Sequence, residues 1–140
     1  MSKIINTNLD DGLLTFTFTN HEGEIFSSFR MNPADIKLAH RCEEVVKYFD
    51  ERKDQVEGRV TVAEAAKYND ELEAQLNYLL GYDASATLFK APITATTILP
   101  NGDIFAYVVL ETIGKAIRPE LAKRKKKLQE GIEKYAGKYL

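Results

Sequence analysis

Tryptophan is absent from this 140-residue chain, and histidine, methionine and cysteine are scarce, at two, two and one. A single cysteine, Cys42, excludes an internal disulfide and fits a reducing compartment. The two histidines, His21 and His40, have no second His or Cys at ligand spacing, which argues against a zinc site. The eight glycines do not cluster as in a phosphate-binding loop, and Pro100-Asn101-Gly102-Asp103 is turn chemistry. Long apolar runs are missing too. The longest, Ile104 to Leu110, would cover only about 10 Å as a helix, too little for a bilayer. Met1 to Asp10 lacks the apolar stretch of a signal peptide, so export by that route is not expected.

What is present is the balance of an ordinary globular domain, 44% hydrophobic and 29% charged, and at 140 residues one core is expected, with the whole of 1–140 as a single domain. The net charge of −2 conceals an asymmetry: from Lys115 onward the chain carries +6, and everything before it −8. The run Arg124-Lys125-Lys126-Lys127 could neutralise phosphate, but an acidic body of −8 would repel nucleic acid. A solvated helix face, or contact with an acidic protein surface, fits that run better. Neither nucleic acid nor membrane is an expected partner. The acids Asp50, Glu51, Asp54, Asp70, Glu71 and Glu73 have the spacing of exposed helix faces and no apolar setting that would tune them for acid–base work. Cys42 lies on an apolar stripe with no identifiable base, which favours a buried hydrophobe over a nucleophile. No catalytic set, cofactor motif or small-molecule site is legible, and a non-enzymatic protein is expected.

Elements follow from periodicity. Leu14, Phe16 and Phe18 alternate with threonines, and after N-H-E-G-E the run E-I-F-S-S-F-R-M returns, so residues 12–31 form an antiparallel β-hairpin, with residues 3–6 open as a third strand. Asn32 as cap and Pro33 as first helical residue open a helix over 33–51, with Ile36, Ala39, Cys42, Val46 and Phe49 as its apolar stripe. Residues 52–59 form a polar link. A second helix spans 61–80, opened by the capping box Thr61 to Glu64 and stopped at Gly81, with Val62, Ala65, Asn69, Leu72, Leu76 and Leu79 as a seam against the first. Asp83 caps a short helix over 83–89. Residues 93–110 fit either a hairpin about Asn101-Gly102 or a helix opening at Asp103. The helix, over 103–138, is favoured, with Phe105, Val109, Ile113 and Ile117 as its stripe, Pro119 as a kink or restart, and Leu121, Leu128, Ile132, Tyr135 and Tyr139 beyond. The expected class is α+β: an N-terminal hairpin packed on a mainly helical body with a long basic C-terminal helix.

The order of these features, with F-R-M-N-P-A-D-I (Phe29 to Ile36), E-L-E-A-Q-L-N-Y-L-L-G-Y-D-A-S-A-T-L-F (Glu71 to Phe89), the P-N-G-D turn and the ending K-Y-A-G-K-Y-L, resembles tail assembly chaperones of long-tailed bacteriophages of Gram-positive hosts. The resemblance covers most of the chain. It implies a cytoplasmic assembly factor, active in the host cell, that coats the helix-rich tape measure protein while tail-tube subunits polymerise. The partner surface it implies takes in Leu72, Leu76, Leu79, Leu88 and Phe89, with Arg124, Lys125 and Lys127 as charged contacts. Self-association, a phage inhibitor of a bacterial defence protein and a minor structural tail component are the competing expectations.

Overall fold

The computed structural model describes residues 2–52 and 61–139, with side chains through residue 131. Two strands, β1 (Leu14–Thr19) and β2 (Ile25–Met31), precede four helices: α1 (Ile36–Glu51), α2 (Val62–Leu80), α3 (Ser85–Leu88) and α4 (Phe105–Tyr139). The expected α+β architecture is present. The sheet holds two strands only, and residues 3–6 join no strand. The expected link over 52–59 lies, apart from Arg52, outside the described residues.

The hairpin pairs Leu14 with Met31, Phe16 with Phe29 and Phe18 with Ser27, so period-two alternation puts these residues on the core face and Thr15 and Thr17 on the outer one. A register shift after Phe18 adds one residue to β2. The extra residue swings Phe26 onto the core side, against Phe18 and Phe105. Phe105, at the start of α4, also meets Phe18 edge-on at 5.3 Å and Phe89 at 5.9 Å. It joins the hairpin, α3 and α4 in one aromatic cluster. The outer edge of β2 is covered by side chains: Tyr82 accepts from the Arg30 N–H, Thr87 donates to the Ser28 carbonyl, and Ser27 donates to the Leu88 carbonyl.

Helix α1 begins three residues later than Asn32-Pro33 predicts. Asp35 is its cap, accepting from the Lys37 N–H, while Asn32 closes a tight turn by accepting from the Ala34 N–H. Its buried face is also different: Leu38, Cys42, Val45 and Phe49 point inward, whereas Ile36 and Val46 are exposed. Helix α2 keeps its expected ends, with Thr61 accepting from the Glu64 N–H and Gly81 at φ +81° closing the C-terminus in the left-handed conformation that glycine adopts without strain. Helices α1 and α2 are antiparallel, because their contacts run in opposite order: Arg41 donates to the Leu79 carbonyl, Tyr78 to Glu44, and Tyr48 to Glu71. Of the expected seam, Leu72, Leu76 and Leu79 are buried with Tyr68 and Leu80, but Val62 is exposed. Asn69 is a polar anchor: its carbonyl oxygen accepts from both the N–H and the hydroxyl of Thr96.

Asp83 does not cap α3. Asn77 of α2 accepts from the Ser85 N–H, and Asp83 accepts from the Ser85 hydroxyl. The ambiguity over 93–110 resolves as a combination, since the Asn101-Gly102 turn closes a single bridge, Ile98 to Ile104, and the helix starts immediately after it. Asp103 is not its cap; the Phe105 and Ala106 N–H groups donate to the carbonyls of Thr97 and Ala95. Phe105, Val109, Ile113 and Ile117 are all buried, as their spacing predicts. The helix is continuous through Pro119, beyond which few side chains are covered, and Leu128 is 63% exposed. Ile132, Tyr135 and Tyr139 have side chains outside the described set.

Candidate functional site

Leu72, Leu76, Leu79 and Leu88, the core of the expected partner surface, are 0% exposed. They hold α2 and α3 to the rest of the fold and offer nothing to a partner in this structure. Phe89 is half-buried against Phe105. Arg124 is committed internally: one guanidinium nitrogen donates to the Asn32 side-chain oxygen at 2.6 Å, the other to the Gly12 carbonyl at 3.1 Å, and Nε lies 3.5 Å from Glu120. Its neighbours Lys125 and Lys127 are exposed. The structure therefore divides the expected contacts among core, internal clamp and free surface.

An open apolar surface exists elsewhere. Roughly a quarter turn round α1 from its buried face, Ile36, Ala39 and Val46 form a second apolar stripe. Across from it, α4 presents Gly114, Ile117, Pro119 and Leu121, and the space between the two helices is a groove of about 860 Å³. Ile36 and Val46 are 68% and 41% exposed, a large apolar surface for one helix to leave in water. Glu43, Lys115 and Arg118 stand along the rim. Lys115 is paired with Glu111 at 2.7 Å, whereas Glu43 and Arg118 have no ion-pair partner among the described residues. Cys42 lies in the groove floor, largely buried, and burial followed by the nearby Glu43 carboxylate pushes its thiol pKa up, which keeps it protonated and slow to react at neutral pH.

Sequence reasoning placed Ile36, Ala39 and Val46 on a core stripe. The overlooked signal was width: α1 carries apolar residues at 36, 39 and 46 and again at 38, 42, 45 and 49, more than one buried face requires.

Other polar groups are occupied structurally. The buried Tyr68 hydroxyl shares a 2.8 Å hydrogen bond with Tyr107, and desolvation, then that bond, raise its pKa far above the usual phenol value. Burial raises the Glu73 pKa, partly opposed by the Asn69 side-chain N–H. Among the described residues, no group of three or more His, Cys, Asp and Glu side chains is arranged to hold a metal ion, and no helix is long and apolar enough to cross a membrane. Compared with protein-family models, curated proteins and solved structures, the chain matches none.

Proposed function

We propose that this protein is a non-enzymatic assembly factor that shelters an amphipathic helix of a partner in the groove between α1 and α4. The observation that carries the reading is the groove itself, an unfilled apolar channel with charges of both signs on its rim. An amphipathic helix laid there would place apolar anchors at i, i+3 or i+4, and i+7 against Ile36, Val46, Ile117 and Leu121, with Glu43 and Arg118 selecting register. The groove-lining stretch of α4 from Gly114 to Leu121 is about 10 Å long, matching about two turns of a bound helix. Three anchors at about 1.5–3 kcal/mol each, set against an association cost of at least about 4 kcal/mol, keep the binding weak and reversible. Binding of that kind suits a factor that must later release its client.

The resemblance names the client: the tape measure protein of a bacteriophage tail, with the host cytoplasm as the place of action. The test is co-expression with the tape measure protein and affinity recovery of the complex, for the unaltered chain and for Ile36→Asp and Val46→Asp. These positions are exposed, so the variants keep the fold. Recovery of a complex that weakens at least tenfold in both variants supports the proposal. A tape measure protein that is equally soluble alone and never co-purifies sinks it, and a complex indifferent to both substitutions moves the site away from this groove.

A further inference from the structure

The hairpin register leaves one sheet edge open. Because the Arg30 N–H and the Ser28 carbonyl turn outward to Tyr82 and Thr87, their partners Thr15 and Thr17 must direct their own N–H and C=O groups away from β2. Those groups have no partner among the described residues. Lysine and proline, the usual guards of an exposed edge, are absent from β1, which reads L-T-F-T-F-T. Phe16 and Phe18 are only partly covered at this edge.

The same chain carries a segment suited to close it. Residues 2–10 form no secondary structure, yet include Ile4, Ile5 and Leu9, exposed at 92%, 84% and 79%. In an extended arm, Ile5, Thr7 and Leu9 share one face, and Ile4, Asn6 and Asn8 the other. The arm's root is tied on the β2 side of β1: Asn32 donates to the Asp11 carbonyl and Arg124 to the Gly12 carbonyl, while the Asp10 and Asp11 side chains close turns onto the Gly12 and Leu13 N–H groups. Among the described residues the arm makes no backbone hydrogen bond to its own β1 edge.

The geometry points to a reciprocal exchange in which the arm of each copy of this chain adds, antiparallel, to the β1 edge of a second copy. Leu9, Thr7 and Ile5 then stand opposite Leu14, Phe16 and Phe18 and extend the apolar face, while Asn8 and Asn6 take the outward hydrogen bonds of Thr15 and Thr17. At the hairpin tip, charge favours this direction. Run antiparallel, the arm carries Lys3 toward Glu22 and Glu24 at the hairpin tip, whereas run parallel it would bring Asp10 and Asp11 there. The area suffices as well. Two arms lay four Ile and Leu side chains, Ile5 and Leu9 of each, against that face, about 320 Å² of apolar surface at 25 cal/mol per Å² and about 2 kcal/mol each. With the strand backbones and the phenylalanine edges added, the total passes the roughly 1,000 Å² of a specific interface. Two-fold symmetry satisfies both edges at once and leaves no open end for further growth.

Sedimentation equilibrium of the full chain tests this. A dimer is expected at micromolar concentration, with dissociation at least tenfold easier in Ile5→Asp and in Thr17→Pro. The proline removes only an outward N–H, and circular dichroism checks that each variant keeps its fold. Mixing a chain bearing Asn6→Cys with one bearing Thr17→Cys, both in a Cys42→Ala background, should give a disulfide-linked heterodimer on oxidation. A monomer at 100 µM, a dimer unmoved by both edge and arm variants, or a disulfide that forms only within a single chain carrying both cysteines would each overturn the exchange.

Discussion

Substituting Gly12 by alanine probes the clamp between the N-terminal root and α4 in a way that separates two physical causes. Gly12 sits at φ +74°, where an L-residue is strained by about 1 kcal/mol. The added Cβ would lie 2.6 Å from the nearest guanidinium nitrogen of Arg124, so that flexible side chain must withdraw. Withdrawal breaks its hydrogen bonds to Asn32 and to the Gly12 carbonyl. Bonds to a charged donor contribute about 1.5–3 kcal/mol when well covered, and with the Arg124 side chain 31% exposed the lower end applies to the pair together. Gly12→Ala should therefore destabilise the protein by about 2.5 kcal/mol, but by only about 1 kcal/mol where Arg124 is already alanine. The assay is urea unfolding of the four members of this cycle, followed by circular dichroism, with a coupling energy of about 1.5 kcal/mol expected. Equal losses in the two backgrounds, within about 0.5 kcal/mol, would refute the claim that Arg124 acts as an internal clamp rather than as part of a solvated basic run.

Four further outcomes follow from the same reasoning. Leu76→Ala, in the fully buried seam, should lower unfolding free energy by about 2–5 kcal/mol, and at a temperature where it stays folded it should bind a groove ligand as before; a selective binding loss would return the seam to the partner surface. Tyr68→Phe strands the Tyr107 hydroxyl and should cost about 1–2 kcal/mol, with Tyr68→Phe/Tyr107→Phe recovering part of that in thermal melts. The Tyr68 pKa is raised on folding, so its contribution is complete below the unfolded phenol value near 10 and is lost as pH rises above it; stability should fall from about pH 10 upward, less steeply in Tyr68→Phe. Cys42 should react with a thiol reagent at least tenfold more slowly than a free thiol at pH 7, and an amphipathic helical peptide seated in the groove should slow it further; no protection by a bound peptide would place that peptide elsewhere.

Local chemistry was legible where it is self-contained. Thr61 with Glu64, the stop at Gly81, the phenylalanine alternation of β1 and the Phe105 to Ile117 stripe each depend on residues within a few positions of one another, and each stands where the spacing puts it. What failed was choice between local options. Asn32 and Asp35 are both competent caps, and only the turn at Pro33-Ala34 decides between them. Helix α1 has two apolar stripes, and which one is buried depends on where α2 and α4 lie. The beginning of α4 is capped by carbonyls of Ala95 and Thr97, which carry no side-chain signature. Arg124 looked like one cation in a run of four, because its partners Asn32 and Gly12 lie 92 and 112 residues away. The groove escaped notice for a related reason: it is made of residues whose type says buried and whose place says exposed.

Gly114 gives that groove a physical handle. In the interior of a helix, glycine is about 1 kcal/mol less favourable than alanine, and nothing within 4 Å would obstruct a methyl group there. Folding alone would therefore gain from Gly114→Ala, while the methyl would stand in the space that the proposed guest helix would need for close backbone approach. Fold stability and guest affinity pull in opposite directions at this one carbon, so a chain selected only for heat resistance would be expected to fill the channel, and a chain that keeps it open trades rigidity for room.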